Sequence, residues 1–282
     1  FWDGNEVWLL TGGGALFAAF PQAYATVFSG FYLALMLVLF SLIFRAVSLE
    51  FRAHDVKRKK LWEWAFIFGS FLPALLFGVA LGNVIRGVPL NARMDFTGNF
   101  FTLLHPFALV IGFFGLTAFL LLGSTYVAMR IDGDIQGRAR SLARIFCIEF
   151  LVLLVLSFIL TLIYIPGSTA RLWPWIFTVV VIVSMILLRP ALKRKKDGKA
   201  FILSSTAFVG LWGIVGSIHF PNMVKASNDE SLSLTISNAS SSELTLLIML
   251  IFALVGMPLV ITYTIFLYRV FRGKIKVGDP GY

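Results

Sequence analysis

One cysteine and three histidines are all that this chain of 282 residues offers to thiol or imidazole chemistry. A lone Cys147 excludes an internal disulfide and any cysteine-rich metal or cluster site, and its place in an apolar run reads as a small packed residue. Charge is scarce as well. Asp, Glu, Lys and Arg make up 13% of the residues while 59% are hydrophobic, and the mean hydropathy is +0.88. An ordinary soluble domain is about a quarter charged, so a water-soluble fold of this size could not cover so much apolar surface. The alternation of apolar and polar residues that marks a barrel is missing too. No charged segment with a cleavage site precedes the first apolar run, so there is no signal peptide to set aside. A helix starts close to Phe1, and the chain is expected to begin late, with preceding residues not included.

What remains are apolar runs of about 20 residues, the length of a membrane-crossing helix. The fold class is all-α, a polytopic membrane helix bundle forming a single transmembrane domain over residues 1–282. Eight spans are expected: about Asn5–Phe20, Gln22–Phe44, Trp62–Leu81, Leu103–Met129, Leu142–Ile165, Leu172–Leu188, Ala200–Phe220 and Leu244–Tyr268. Pro21 closes the first, because proline cannot continue a helix without losing a hydrogen bond. One long kinked helix over Val7 to Phe44, or a re-entrant piece before a span, are the alternatives at this point.

Charge decides for two spans. With eight crossings, the segments Arg45–Lys60, Arg130–Arg144, Arg189–Lys199 and Arg269–Lys276 share one side and hold 20 of the 24 Lys and Arg. Arg86, Arg93, Arg171 and Lys225 are left opposite. The asymmetry puts the basic loops and the C-terminus in the cytoplasm. It also explains the net charge of +10 without nucleic acid. Trp62 and Trp64 at one boundary, and Trp173 and Trp175 at the other, fit interfacial belts.

Few residues could carry chemistry. Haem iron takes His, Met, Cys or Tyr, yet His54, His105 and His219 form no pair at helical spacing and none sits mid-membrane, so no haem or metal ligand is assigned. Carboxylates near the bilayer say more, because a charge there is expensive. Asp3 and Glu6, three residues apart, share a helix face at a helix start, where negative charge is favoured. They read either as a capping, interfacial pair or as a proton-uptake relay with Asp3 the better candidate, since a partly buried carboxyl can accept and release protons. Glu149, roughly 10 Å inside its span, either joins a polar pathway, pairs with a partner, or leans back to Arg144 or a headgroup. Glu63 lies between two tryptophans and reads as an anchor. Thr11-Gly12-Gly13-Gly14-Ala15 lacks the strand and the Lys-Ser/Thr of a phosphate loop and reads as helix packing.

Longer strings are more specific. Phe1-Trp2-Asp3-Gly4-Asn5-Glu6-Val7-Trp8-Leu9-Leu10-Thr11 running on to Pro21 resembles the signature of cytochrome bd-type quinol oxidase subunit II. Phe28-Ser29-Gly30-Phe31-Tyr32, Gly69-Ser70-Phe71-Leu72-Pro73, Gly87-Val88-Pro89, Thr97-Gly98-Asn99-Phe100-Phe101 and Ser241-Ser242-Glu243-Leu244-Thr245 continue the resemblance in order along almost the whole chain.

The resemblance implies a complex in a bacterial or archaeal plasma membrane that oxidises quinol and reduces dioxygen to water, with protons drawn from the cytoplasm. It places haems b558, b595 and d, and the quinol-oxidising loop, in a partner, subunit I. This chain would then be non-catalytic alone. It would hold the heterodimer together beside membrane lipid, shield the haems and contribute to proton access. Trp2 and Asp3 match the Trp-Asp pair of that proton route, whereas Glu6 stands where the family requires no acid. The family also implies one more helix before Phe1, a structural quinone in some members, which these residues do not place, and small single-helix accessory subunits. From a different class, an independent secondary transporter or proton channel would share the bundle and the membrane carboxylate, but no broken mid-membrane helices of the transporter kind are visible.

Overall fold

The computed structural model describes residues 2–271 and 273–274, with side chains from Gly4 onward apart from Val56. Among them are nine α-helices: α1 (Trp2–Ala19), α2 (Pro21–Gly30), α3 (Tyr32–His54), α4 (Lys59–Arg86), α5 (Pro106–Arg130), α6 (Asp134–Tyr164), α7 (Leu172–Lys193), α8 (Asp197–His219) and α9 (Glu243–Val270). Seven of them, α3 to α9, are long and apolar enough to cross a membrane. The chain is a multi-pass membrane helix bundle.

The expected eight spans therefore become seven by length and composition, and the difference lies at the start of the chain. The span expected over Gln22–Phe44 is two elements. Helix α2 has 10 residues, too short to cross about 30 Å of hydrocarbon at 1.5 Å per residue. Helix α3 then runs on to His54. Helix α1, with 18 residues, is diluted by Asp3, Asn5, Glu6 and four glycines. At the break between α2 and α3, Gly30 lies against a residue distant in sequence: a Cβ there would be 2.8 Å from the Phe96 side chain. Helix α2 also docks on the α4–α5 connection, with Thr26 Oγ1 donating to Met94 O at 2.9 Å and Gln22 Nε2 to Arg93 O at 3.2 Å.

Small residues bring the long helices together. A Cβ on Gly78 would lie 2.8 Å from Gly112 Cα, and one on Gly82 2.7 Å from Ala108 Cα, so α4 and α5 touch backbone to backbone. This is how membrane helices gain packing where lipid supplies no hydrophobic drive between them. Polar groups join the same interfaces: Thr125 Oγ1 and Ser204 Oγ share a buried hydrogen bond of 2.8 Å between α5 and α8. Phe114, Phe150, Val181, Met185 and Leu188 fill the core between α5, α6 and α7, with Ala200 and Ala207 of α8. A second cluster at the end opposite the basic loops gathers Phe31, Leu90, Leu103, Val224 and Leu234. There the two short antiparallel strands β1 (Asn222–Val224) and β2 (Leu234–Thr235) cover the helix ends.

Two helices stand apart. Helix α9 has no buried residue along its 28, and α1 packs mainly on α2 while touching α9. Ser241 N donates to Ala19 O at 2.8 Å, which fastens the end of α1 to the start of α9.

Candidate functional site

Helix α1 ends, and α3 begins, at the pole away from the basic loops. Glu6 lies thirteen residues before the end of α1 and Arg45 thirteen residues into α3, so at 1.5 Å per residue each is about 20 Å from that pole. Their side chains meet: the Arg45 guanidinium forms an ion pair with the Glu6 carboxylate, both only partly exposed (20% and 28%). At this level α3 lies directly against α4, where its neighbour is a glycine. A Cβ on Gly69 would lie 2.6 Å from Ser41 O and 2.9 Å from Arg45 N. Reading Arg45 as the first residue of a basic loop is thereby corrected. It stands nine residues inside α3, paired within the bundle. The available sequence signal was an acid and a base in apolar neighbours, Glu6 and Arg45, whose pairing needed the third dimension.

The other sequence-derived candidates are placed as follows. Trp2 and Asp3 fall in the first turn of α1, and their side chains lie outside the described residues. Glu149 is exposed on α6, a helix that packs on α5 and α7. Among the described residues no hydrogen bond or ion pair joins it to Glu6, so these two do not form one site. Glu63 pairs with Arg52 at 2.8 Å across the α3–α4 turn.

The histidines are engaged at helix ends. His54 Nδ1 lies 3.0 Å from Glu50 O and His219 Nε2 3.1 Å from Met223 O. His105 is the N-cap of α5, its Nδ1 accepting from Phe107 N at 3.2 Å, with its ring edge-on to Tyr164 at 4.8 Å. No group of three His, Cys, Asp or Glu able to hold a metal occurs among the described residues.

Burial, and then the nearby Arg86, hold His105 below its ordinary pKa. A base depressed on folding keeps its full contribution above its unfolded value, about 6.5. Stability is then lost as pH falls from there towards the folded value, and protonating Nδ1 removes the acceptor that caps α5. The unfolding midpoint in detergent is thus expected to drop as pH falls below about 6.5. His105→Asn, which can still cap, should show a flatter profile. Equal slopes in the two proteins would count against this role.

A further polar cluster was not anticipated from sequence. At the basic end, Arg140 Nε and Nη2 donate to Asp197 Oδ1 and Oδ2 at 2.8 and 2.6 Å. Gln136 Nε2 donates to Asp197 Oδ2 at 3.3 Å and to Ala128 O at 2.9 Å. The fork-on-carboxylate geometry ties α5, α6 and α8 together. Its faint signal was Asp197 alone in a segment otherwise rich in Lys and Arg.

Comparison with known proteins gives this geometry a setting. The family model described as cytochrome bd terminal oxidase subunit II matches residues 1–271. The chain is 34% identical to the cytochrome bd-I ubiquinol oxidase subunit 2 of Escherichia coli K12, over 99% of its own length and 83% of the relative's. It is 34% identical to the cytochrome bd ubiquinol oxidase subunit 2 of Bacillus subtilis, over 99% and 84%. In fold it is similar to a chain of the bd oxidase from Geobacillus thermodenitrificans, with a TM-score of 0.69, 16% identity, and coverage of 84% of this chain and 72% of that one.

Proposed function

Because the chain belongs to the cytochrome bd terminal oxidase subunit II family, we propose that it docks on a haem-bearing subunit I through α9 and the exposed half of α1, as the non-haem part of a quinol:oxygen oxidoreductase. The observation that carries the docking is α9 itself. A 28-residue helix with nothing buried makes almost no packing of its own within the chain. Beside it Val7, Trp8, Leu9 and Leu10 of α1 are exposed as well. Helices associate in lipid by close packing, and a partner's helices would supply it here.

Reducing dioxygen to water consumes protons as well as electrons. Electron chemistry would belong to the partner's haems and quinol. The protons would enter beside the start of α1, with the basic ends of the helices facing the cytoplasm and α1 as the eighth crossing. In this reading Asp3, of the Trp2-Asp3 pair, accepts and passes the proton, and Glu6 lies one turn further along α1. Family membership leaves the independent transporter without support.

A photo-activated cross-linker at Phe252 or Val255 of α9, in the co-expressed complex, tests the docking. The expected product is a covalent adduct with the haem-bearing chain, and none from the same group at Val152 on α6. Adducts from Val152 and none from α9 would place the partner on the other side of the bundle and sink the reading.

A further inference from the structure

The same basic string occurs twice at one end of the bundle. Lys57-Arg58-Lys59-Lys60 leads from α3 into α4, and Lys193-Arg194-Lys195-Lys196 from α7 into α8. Both turns are short and held in place. In the first, a single 3-10 turn (Val56–Arg58) runs straight into α4. Asp55 fixes it, accepting from Arg58 N at 3.1 Å and from Trp62 Nε1 at 3.3 Å. In the second, Arg194 N, Lys195 N and Lys196 N donate to Pro190 O, Leu192 O and Ala191 O at 3.0, 3.3 and 3.0 Å, and Ala191 and Leu192 are buried. The side chains of both strings are all exposed, and among the described residues none of them enters an ion pair. The nearby acids are engaged elsewhere: Glu63 with Arg52, Asp132 with Lys274 and Asp197 with Arg140. Basic runs orient a membrane chain, and on a long loop they would simply face water. Here Lys59 and Lys60 stand in the first turn of α4, directly before Trp62 and the 69% exposed Trp64, and tryptophans of this kind sit at headgroup level. Lys193 is the last residue of α7 and Lys196 the N-cap of α8. Both strings are thus held at the height of the lipid phosphates.

We propose that the two Lys-Arg-Lys-Lys turns are binding sites for anionic phospholipid, each holding headgroup phosphates of the leaflet it faces. Clusters of basic residues immediately beside a membrane helix attract acidic headgroups. Within each string the arginine offers a planar fork that matches a phosphate, and the lysines add point charges around it. A zwitterionic headgroup brings its own cation and gains little from such a cluster. The α5–α6 connection beside these turns is built differently, because Arg130, Asp132 and Arg140 are bound within the chain, to Phe271 O, Lys274 and Asp197. Neither turn belongs to α1 or α9, so the lipid sites are separate from the docking surface and from the proton entry.

The test uses the complex co-purified with subunit I and stripped of lipid in detergent. It is incubated with equal amounts of phosphatidylglycerol and phosphatidylcholine and washed by gel filtration, and the retained lipid is counted per haem by mass spectrometry. The wild type is expected to retain phosphatidylglycerol in preference. Lys57→Gln, Arg58→Gln, Lys59→Gln and Lys60→Gln combined should lower the retained phosphatidylglycerol by about one molecule per complex and leave phosphatidylcholine unchanged. Lys193→Gln, Arg194→Gln, Lys195→Gln and Lys196→Gln combined should do the same. The two losses should add, since the turns share no partner. Exchanging Lys for Arg and Arg for Lys at the same positions keeps the charge and should keep the lipid. A wild type without preference, or a preference unchanged in both glutamine variants, would overturn the proposal. Should those variants fail to assemble, the wild type decides, labelled with a phosphatidylglycerol that carries a photo-activated group in its headgroup. Adducts at the two turns that unlabelled phosphatidylglycerol displaces and phosphatidylcholine does not would support the sites. Labelling of this chain only outside the two turns would refute them.

Discussion

Asp3→Asn is expected to lower oxygen-reducing turnover per haem by about 100-fold, the lower end of what a positioned proton-transfer group contributes. Asparagine has the shape of aspartate but cannot carry a proton at any accessible pH, so the substitution removes the relay and little else. Asp3 stands in the first turn of α1, where the helix dipole favours a carboxylate by about 0.3–1 kcal/mol. That small term means the variant should fold and dock. Haem content per complex is then unchanged while turnover and cytoplasmic-side proton uptake fall together. A pH-indicator dye outside inverted vesicles follows the uptake, and oxygen consumption follows the rate. Full turnover with full uptake would leave Asp3 as a helix cap and nothing more. A normal haem spectrum is what makes the comparison decisive.

The second large effect concerns stability. Asp197→Ala should destabilise the chain by about 3–5 kcal/mol, because it strands a charge whose partner is gone. Arg140 and Asp197 are 16% and 9% exposed, so water cannot take over from the lost carboxylate. Gln136 loses an acceptor as well. The unfolding midpoint in detergent should fall by on the order of 10 °C. The Asp197→Leu/Arg140→Met double variant should recover most of that, since replacing both buried charges with apolar groups is often neutral. Removing Glu63 from its pair with Arg52 is the contrast. Those groups are 46% and 44% exposed, and an exposed pair contributes about 1 kcal/mol or less. If the two single losses came out equal, burial would not be what gives the Arg140–Asp197 clamp its strength.

Apolar length made the helices from α3 onward legible in the sequence, because a run of about 20 residues without charge has few alternatives in a membrane chain. Helix ends were less legible. Helix α6 begins at Asp134, well before the expected Leu142. The helix continues past the hydrocarbon into polar residues, and hydropathy marks only the apolar stretch. The same blindness put Arg45 in a loop, although α3 continues to His54. The break at Gly30 was hidden for another reason. Residues 23–44 carry no charge, and Gly30 at the break lies against Phe96, a neighbour distant in sequence.

The site divides in the same way. Glu6 was readable as an acid in a costly place, but its partner was not, because nothing in the order of residues matches depth in α1 to depth in α3. The clamp on Asp197 was likewise invisible, since its three side chains come from α6 and the start of α8. Family strings such as Trp2-Asp3-Gly4-Asn5 identify the chain where single-residue chemistry is silent. The scarcity of haem ligands and the bare surface of α9 then point the same way, towards a chain that works only beside another.

That dependence can be measured directly. The chain is purified alone, and again after co-expression with the haem-bearing subunit I of its own oxidase, and a reduced-minus-oxidised absorption spectrum is recorded for each. The expected result is no haem signal from the chain alone and stoichiometric haem in a complex that stays associated through purification. A haem spectrum from the isolated chain, or a chain that never associates with that subunit, would contradict it.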